Sequence, residues 1–82
     1  MLKLYSIDDV CDATSFSRGN IYKQVKAGLF TAPMHWGKSS RWPASEIEAI
    51  FEARLAGKSD DEIRAIIKEL YEARRARNGG AE

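Results

Sequence analysis

Apolar residues recur with helical spacing along most of this chain, and one stretch, Leu29 to Pro43, breaks the period. Leu2-Lys3-Leu4-Tyr5 alternates apolar and polar, as a short strand does. Ser6 with Asp9 three residues on is close to a capping box. Ile7, Val10 and Cys11 follow at i, i+3 and i+4, a stripe on a first helix ending near Ala13, with Thr14-Ser15-Phe16 as a tight connection. Ser17 is the next N-cap, because its hydroxyl can accept from a backbone N–H left free in the first turn. A second helix is predicted over Arg18 to Ala27, stopped by a left-handed Gly28. Ile21 and Val25 share its core face with Tyr22 beside them, while Gly19, Asn20, Lys23 and Lys26 face away. Two capped helices joined by about three residues make a helix-turn-helix pattern.

In the aperiodic stretch, Ala32-Pro33 leads into an extended Met34-His35-Trp36. Gly37-Lys38-Ser39-Ser40 has turn composition and Arg41-Trp42-Pro43 reads as the return strand, a hairpin with a basic tip. A third helix starts near Pro43 or Ala44, turns Ile47, Ile50, Phe51 and Leu55 inward, and stops at Gly57. Ser59 and Glu62 have capping-box spacing, and a long fourth helix follows with Ile63, Ile66, Ile67, Leu70 and Tyr71 on one stripe. Acids in its first turn and Arg74, Arg75 and Arg77 in its last suit the helix dipole, and Asn78-Gly79-Gly80 ends it. The expected fold is mainly α with a small β-hairpin. Residues 1–57 would form the helix-turn-helix domain with its hairpin. Residues 58–78 would form a helix packed on that domain or used for assembly, and 79–82 a disordered tail.

Composition narrows the function classes. A chain of 82 residues has room for one small core and none for a substrate cleft between lobes. No apolar run is long enough for a membrane span or a signal peptide, and the single Cys11 forms no internal disulfide, so a cytoplasmic protein is expected. Cys11 and the lone His35 are too few for a structural zinc site, and no metal or cofactor is expected. The net charge of +1 hides a strong asymmetry. Between Thr14 and Ser45 there is no acid, and Arg18, Lys23, Lys26, Lys38 and Arg41 are all basic. Such a stretch attracts polyanions whatever the whole-chain balance.

Three segments in order resemble the AlpA-like phage regulators and related excisionases. Phe16-Ser17-Arg18-Gly19-Asn20-Ile21-Tyr22-Lys23 is similar to the start of that family's second helix. Lys26-Ala27-Gly28-Leu29-Phe30 with Pro33 is similar to the turn leaving it. Gly37-Lys38-Ser39-Ser40-Arg41-Trp42 followed by Ser45-Glu46-Ile47 is similar to the family's wing and the start of its third helix. The resemblance spans roughly Leu4 to Ala56, and Pro43 departs from it. It implies a winged helix-turn-helix of MerR and excisionase type with a long C-terminal helix added. It also implies double-stranded DNA as ligand, several copies side by side on repeated sites, and an integrase as a further partner.

The residue types fit that chemistry. The major groove admits one helix, where arginine or lysine forks onto guanine and asparagine pairs with adenine, so Arg18, Asn20 and Lys23 are candidate base readers. Gly19 would let the backbone approach the duplex, and Lys26 adds charge on the same face. The resemblance assigns Ser17 and Tyr22 to phosphate. Lys38, Ser39, Ser40 and Arg41 form the expected wing contact, along the backbone or in the minor groove. The plainer alternative is that Arg18 and Lys23 only solubilise a surface helix. Trp36 and Trp42 are read as packing residues that clamp the hairpin to the helices, Tyr22 as half core, and Cys11 as a small buried hydrophobe. No catalytic triad or phosphate loop is present, so no enzyme is expected. The rival reading is a protein-interaction adaptor that docks a partner through the 59–78 helix.

Overall fold

A computed structural model describes residues 3–80. Its elements in order are β1 (Leu4–Tyr5), α1 (Ile7–Thr14), α2 (Arg18–Lys26), β2 (Met34–Trp36), β3 (Ser39–Pro43), α3 (Ala44–Leu55) and α4 (Asp60–Gly80). Ser6 and Asp9 exchange both bonds of a capping box at the start of α1. Ser17 Oγ accepts from Asn20 N–H at 3.2 Å and caps α2. Gly28, at φ +79°, ends α2. There Leu29 N–H donates to Gln24 C=O and Gly28 N–H to Val25 C=O, the paired bonds of a Schellman motif. Gly57 repeats the device after α3, and Ser59 and Glu62 form a second capping box ahead of α4.

The hairpin is tighter than its composition suggests, and it is not alone. β2 and β3 pair antiparallel with Trp36 opposite Ser39, leaving Gly37-Lys38 as a two-residue turn. Gly37 stands at φ +63°, the positive angle that a II′ hairpin turn needs at its first central position. Ser39 and Ser40 therefore belong to the strand and not to the turn. β1 adds to the other edge of β3, with Tyr5 opposite Trp42, so β3 is the centre of a three-stranded sheet.

The core draws on every helix: Val10 from α1, Ile21 from α2, Ile47, Ile50 and Ala53 from α3, and Ile63 and Ile67 from α4, closed over by Phe30 and Trp42. Burying each of the larger side chains stabilises the fold by roughly 1.5–3 kcal/mol. The fourth-helix stripe is thus spent within the chain, with Ile66, Leu70 and Tyr71 half-buried beside Ile63 and Ile67. α4 also runs on to Gly80, past the expected stop at Asn78, so positions 79 and 80 of the expected disordered tail are helical. Positions 81 and 82 of that tail, and Leu2 of the expected first strand, lie outside the described residues.

Three packing expectations are corrected. Leu55 is 85% exposed, because five residues on from Ile50 it lies about 140° around α3 from the buried face. Cys11 is half-buried, at the rim of the core and not inside it. Trp42 is fully buried, but Trp36 is 68% exposed. With side chains alternating along a strand, Trp36 shares a face with Ser39 and Arg41, whereas Trp42 lies on the other face. Only one of the two can face the helices. No helix among the described residues is long and apolar enough to cross a membrane.

Candidate nucleic-acid interface

α2 is held by one face and bare on the other. Ile21 is fully buried and Val25 packs against the core, while Arg18, Gly19, Tyr22, Lys23 and Lys26 are exposed and Asn20 is half-buried. Gly19 and Lys23 lie near the middle of the outward strip, with Lys26 beside them. Arg18 and Asn20, two residues apart and so about 200° around the helix, mark its opposite margins. A side chain in place of the Gly19 hydrogen would meet nothing within 4 Å, so this turn of the helix leaves an open approach.

Arg18 is not idle. Its guanidinium donates to Asp8 Oδ1 of α1 at 2.6 Å, both side chains remaining well exposed, and this bond raises the arginine pKa further. An exposed pair of this kind contributes little in water, so a phosphate or a guanine can replace Asp8 at little cost. The other four cations of the acid-free stretch, Lys23, Lys26, Lys38 and Arg41, make no ion pair among the described residues. In the C-terminal part of the chain Arg54 pairs with Asp60, Lys58 with Glu62, Arg64 with Asp61 and Arg74 with Glu46, while Lys68, Arg75 and Arg77 make no ion pair among the described residues.

At the wing, Lys38 is exposed in the turn, whereas Ser39, Ser40 and Arg41 are half-buried along β3. The tip is therefore Gly37-Lys38, with Arg41 farther down the strand, its Nη1 donating to the Ser40 carbonyl at 3.0 Å. α2 meets the sheet through Tyr22, 44% exposed, whose ring centroid lies 6.4 Å from that of Trp42. Tyr22 is thus more exposed than the half-core position expected, and its ring packs beside the strand that carries Arg41.

The segment between reading helix and wing is pinned by bonds invisible in the sequence. Trp42 Nε1 donates to Thr31 C=O at 2.7 Å, and Ala32 N–H donates to Tyr71 Oη at 2.7 Å. Arg74 binds the Glu46 carboxylate with two nitrogens and donates to Ala32 C=O at 2.8 Å. Glu46 is 95% buried, since it is only 5% exposed, and Arg74 is its partner. Arg74 is consequently a structural residue, beyond its expected part in offsetting the helix dipole. Arg64 Nε donates to Ala27 C=O at 3.0 Å, at the C-terminal end of α2, so α4 braces both the helix and the loop after it.

Sequence reasoning missed Trp36 as a surface residue. The signal was present: a hairpin with an even-numbered turn puts Trp36 and Trp42 on opposite faces. Among the described residues no three His, Cys, Asp or Glu side chains converge to hold a metal ion. No family model matches the chain, and neither does any curated protein or solved structure.

Proposed function

We propose that this chain binds double-stranded DNA sequence-specifically and without catalysis. In this reading α2 lies in the major groove and the β2–β3 wing lies along the backbone or in the adjacent minor groove. The observation that carries the reading is that Lys23, Lys26, Lys38 and Arg41 stand unpaired among the described residues on one helix strip and its wing, in a stretch without an acid. Lys68, Arg75 and Arg77 of α4 are unpaired there too, but they share their helix with Glu69 and Glu72. Unpaired cations of this kind release counterions when they meet phosphates, which is the main source of affinity for duplex DNA. The bare turn at Gly19, with Arg18 and Asn20 at its margins, supplies groups that discriminate bases.

The resemblance to AlpA-like regulators and excisionases refines the proposal. The chain would act in the cytoplasm on an integrated mobile element, as excisionase or transcriptional regulator, in several copies on repeated sites and beside an integrase. The adaptor alternative has less in its favour, since Ile63 and Ile67 of the required stripe are buried in the chain's own core. Selection of bound duplexes from a random DNA pool tests the reading. An enriched motif, above all a repeated one, is the expected result. A pool that stays random, with no retention at low salt, would overturn it.

A further inference from the structure

We infer that Trp36 is a wedge: the wing tip enters the minor groove and the Trp36 indole inserts at a base step, kinking the duplex. The inference rests on the reading of this chain as a binder of duplex DNA. Trp36 is 68% exposed although tryptophan gains more than most residues from burial, and it forms with Ser39 the last pair before the turn. The minor groove is about 6 Å wide, so of a two-stranded ribbon only the tip can enter it. This tip is slim. A side chain built on Gly37 would meet nothing within 4 Å, and the residue opposite Trp36 is a serine. The indole is thus the one large apolar group at the end of the hairpin.

Its neighbours select the partner. Lys38 follows it in the turn, and a small concavity of about 250 Å³ beside it is lined by Leu4, Trp36, Ser39 and Arg41. A larger one of about 610 Å³ that Trp36 also lines has Lys3 and Arg77 in its wall, with Glu48 as its one carboxylate. Lysine is depleted where proteins bury surface against one another, whereas apolar wedges in the minor groove work among cations that hold the flanking phosphates. An apolar plate between Lys38 and Arg41 matches the second environment. The unstacking of a base step is offset by indole–base contact and by the wider protein surface that a bent duplex touches.

Trp42 is fully buried but packs against Tyr22 of the interface, so the DNA-dependent change in tryptophan fluorescence that is lost in Trp36→Ala is the part that reports on Trp36. The probe is a random-sequence duplex of about 20–30 base pairs carrying a donor and an acceptor dye at its ends, added to the full chain at low salt. Binding is expected to quench the exposed tryptophan and to shorten the end-to-end distance by a kink of about 20–90°. Trp36→Ala, at an exposed position, should leave the helical signal intact, abolish quench and shortening together, and weaken binding about tenfold. Trp36→Phe should retain part of the shortening. The slope of affinity against salt should not change, because no charge is removed. A wild-type chain that binds with Trp36 unquenched and the duplex straight would overturn the wedge alone. Wild-type chain with no affinity for the duplex would overturn the DNA reading, and the wedge with it. Trp36 quenching on concentration without DNA would make it a contact between copies, and would also overturn the wedge.

Discussion

At the scale of single residues, the proposed interface would separate groups that can tell bases apart from groups that only grip. Asn20 is half-buried at one margin of the α2 strip, which restrains its amide, and an amide can pair with adenine through two bonds at once. Lys38 is exposed in a two-residue turn, a mobile point charge with no partner among the described residues. Their variants should therefore behave differently. Asn20→Ala is expected to cost about 1–3 kcal/mol on the preferred site and to flatten discrimination. Lys38→Ala should weaken all sequences alike and lower the salt slope by about one ion. Competition assays with specific and random duplexes check both, and equal losses on the two duplexes for Asn20→Ala would remove it from the base readers. Arg18 differs from both because it must leave Asp8, so part of its gain on DNA is offset by the bond it gives up.

Among the elements, local signals decided most of the outcome. The Ser59 backbone N–H, and after it the Ser59 hydroxyl, hold the Glu62 carboxylate below the usual carboxylate range. Ser6 does the same for Asp9 at α1. A depressed folded-state pKa contributes stability above the unfolded value and loses it as pH falls through the folded one. Wild type should accordingly exceed Glu62→Gln in thermal stability at neutral pH, with the gap closing as pH falls below the ordinary glutamate range; a gap independent of pH would show that the charge is not what caps α4. Both capping boxes, the α2 stop at Gly28 and the core stripes were legible because each depends on residues a few positions apart. The pairing of β1 with β3 was not, since Tyr5 and Trp42 meet across most of the helix-turn-helix. The opposite facing of Trp36 and Trp42 was legible but overlooked, since any even-numbered turn produces it. In the candidate site the cations were legible from the missing acids, but the Asp8 tie on Arg18 and the burial of Ser39 and Ser40 needed the fold.

For the molecule as a whole, α4 determines where helix and wing stand relative to one another. Its Arg74 and Tyr71 hold Ala32 in the loop that joins them, across 42 and 39 residues of sequence. Arg64 closes the end of α2. Removing Arg74 strands a buried carboxylate, so Arg74→Met should destabilise the fold by about 3–5 kcal/mol in denaturant titration. That is a large share of the roughly 5–15 kcal/mol a domain possesses. Glu46→Gln combined with Arg74→Met should recover part of the loss, because the stranded charge is gone; no recovery would mean that the Ala32 bond matters more than the pair. The fourth helix is in this way a brace for α2 and the hairpin, whatever its outer surface contacts.

The central claim is that the unpaired cations of α2 and the wing bind duplex DNA, and a salt titration of affinity on a random duplex tests it most directly. Lys23, Lys26, Lys38 and Arg41, with Arg18 once released from Asp8, should give a slope of about −3 to −5 in log affinity against log salt. A slope near zero, or no binding even at low ionic strength, would contradict it.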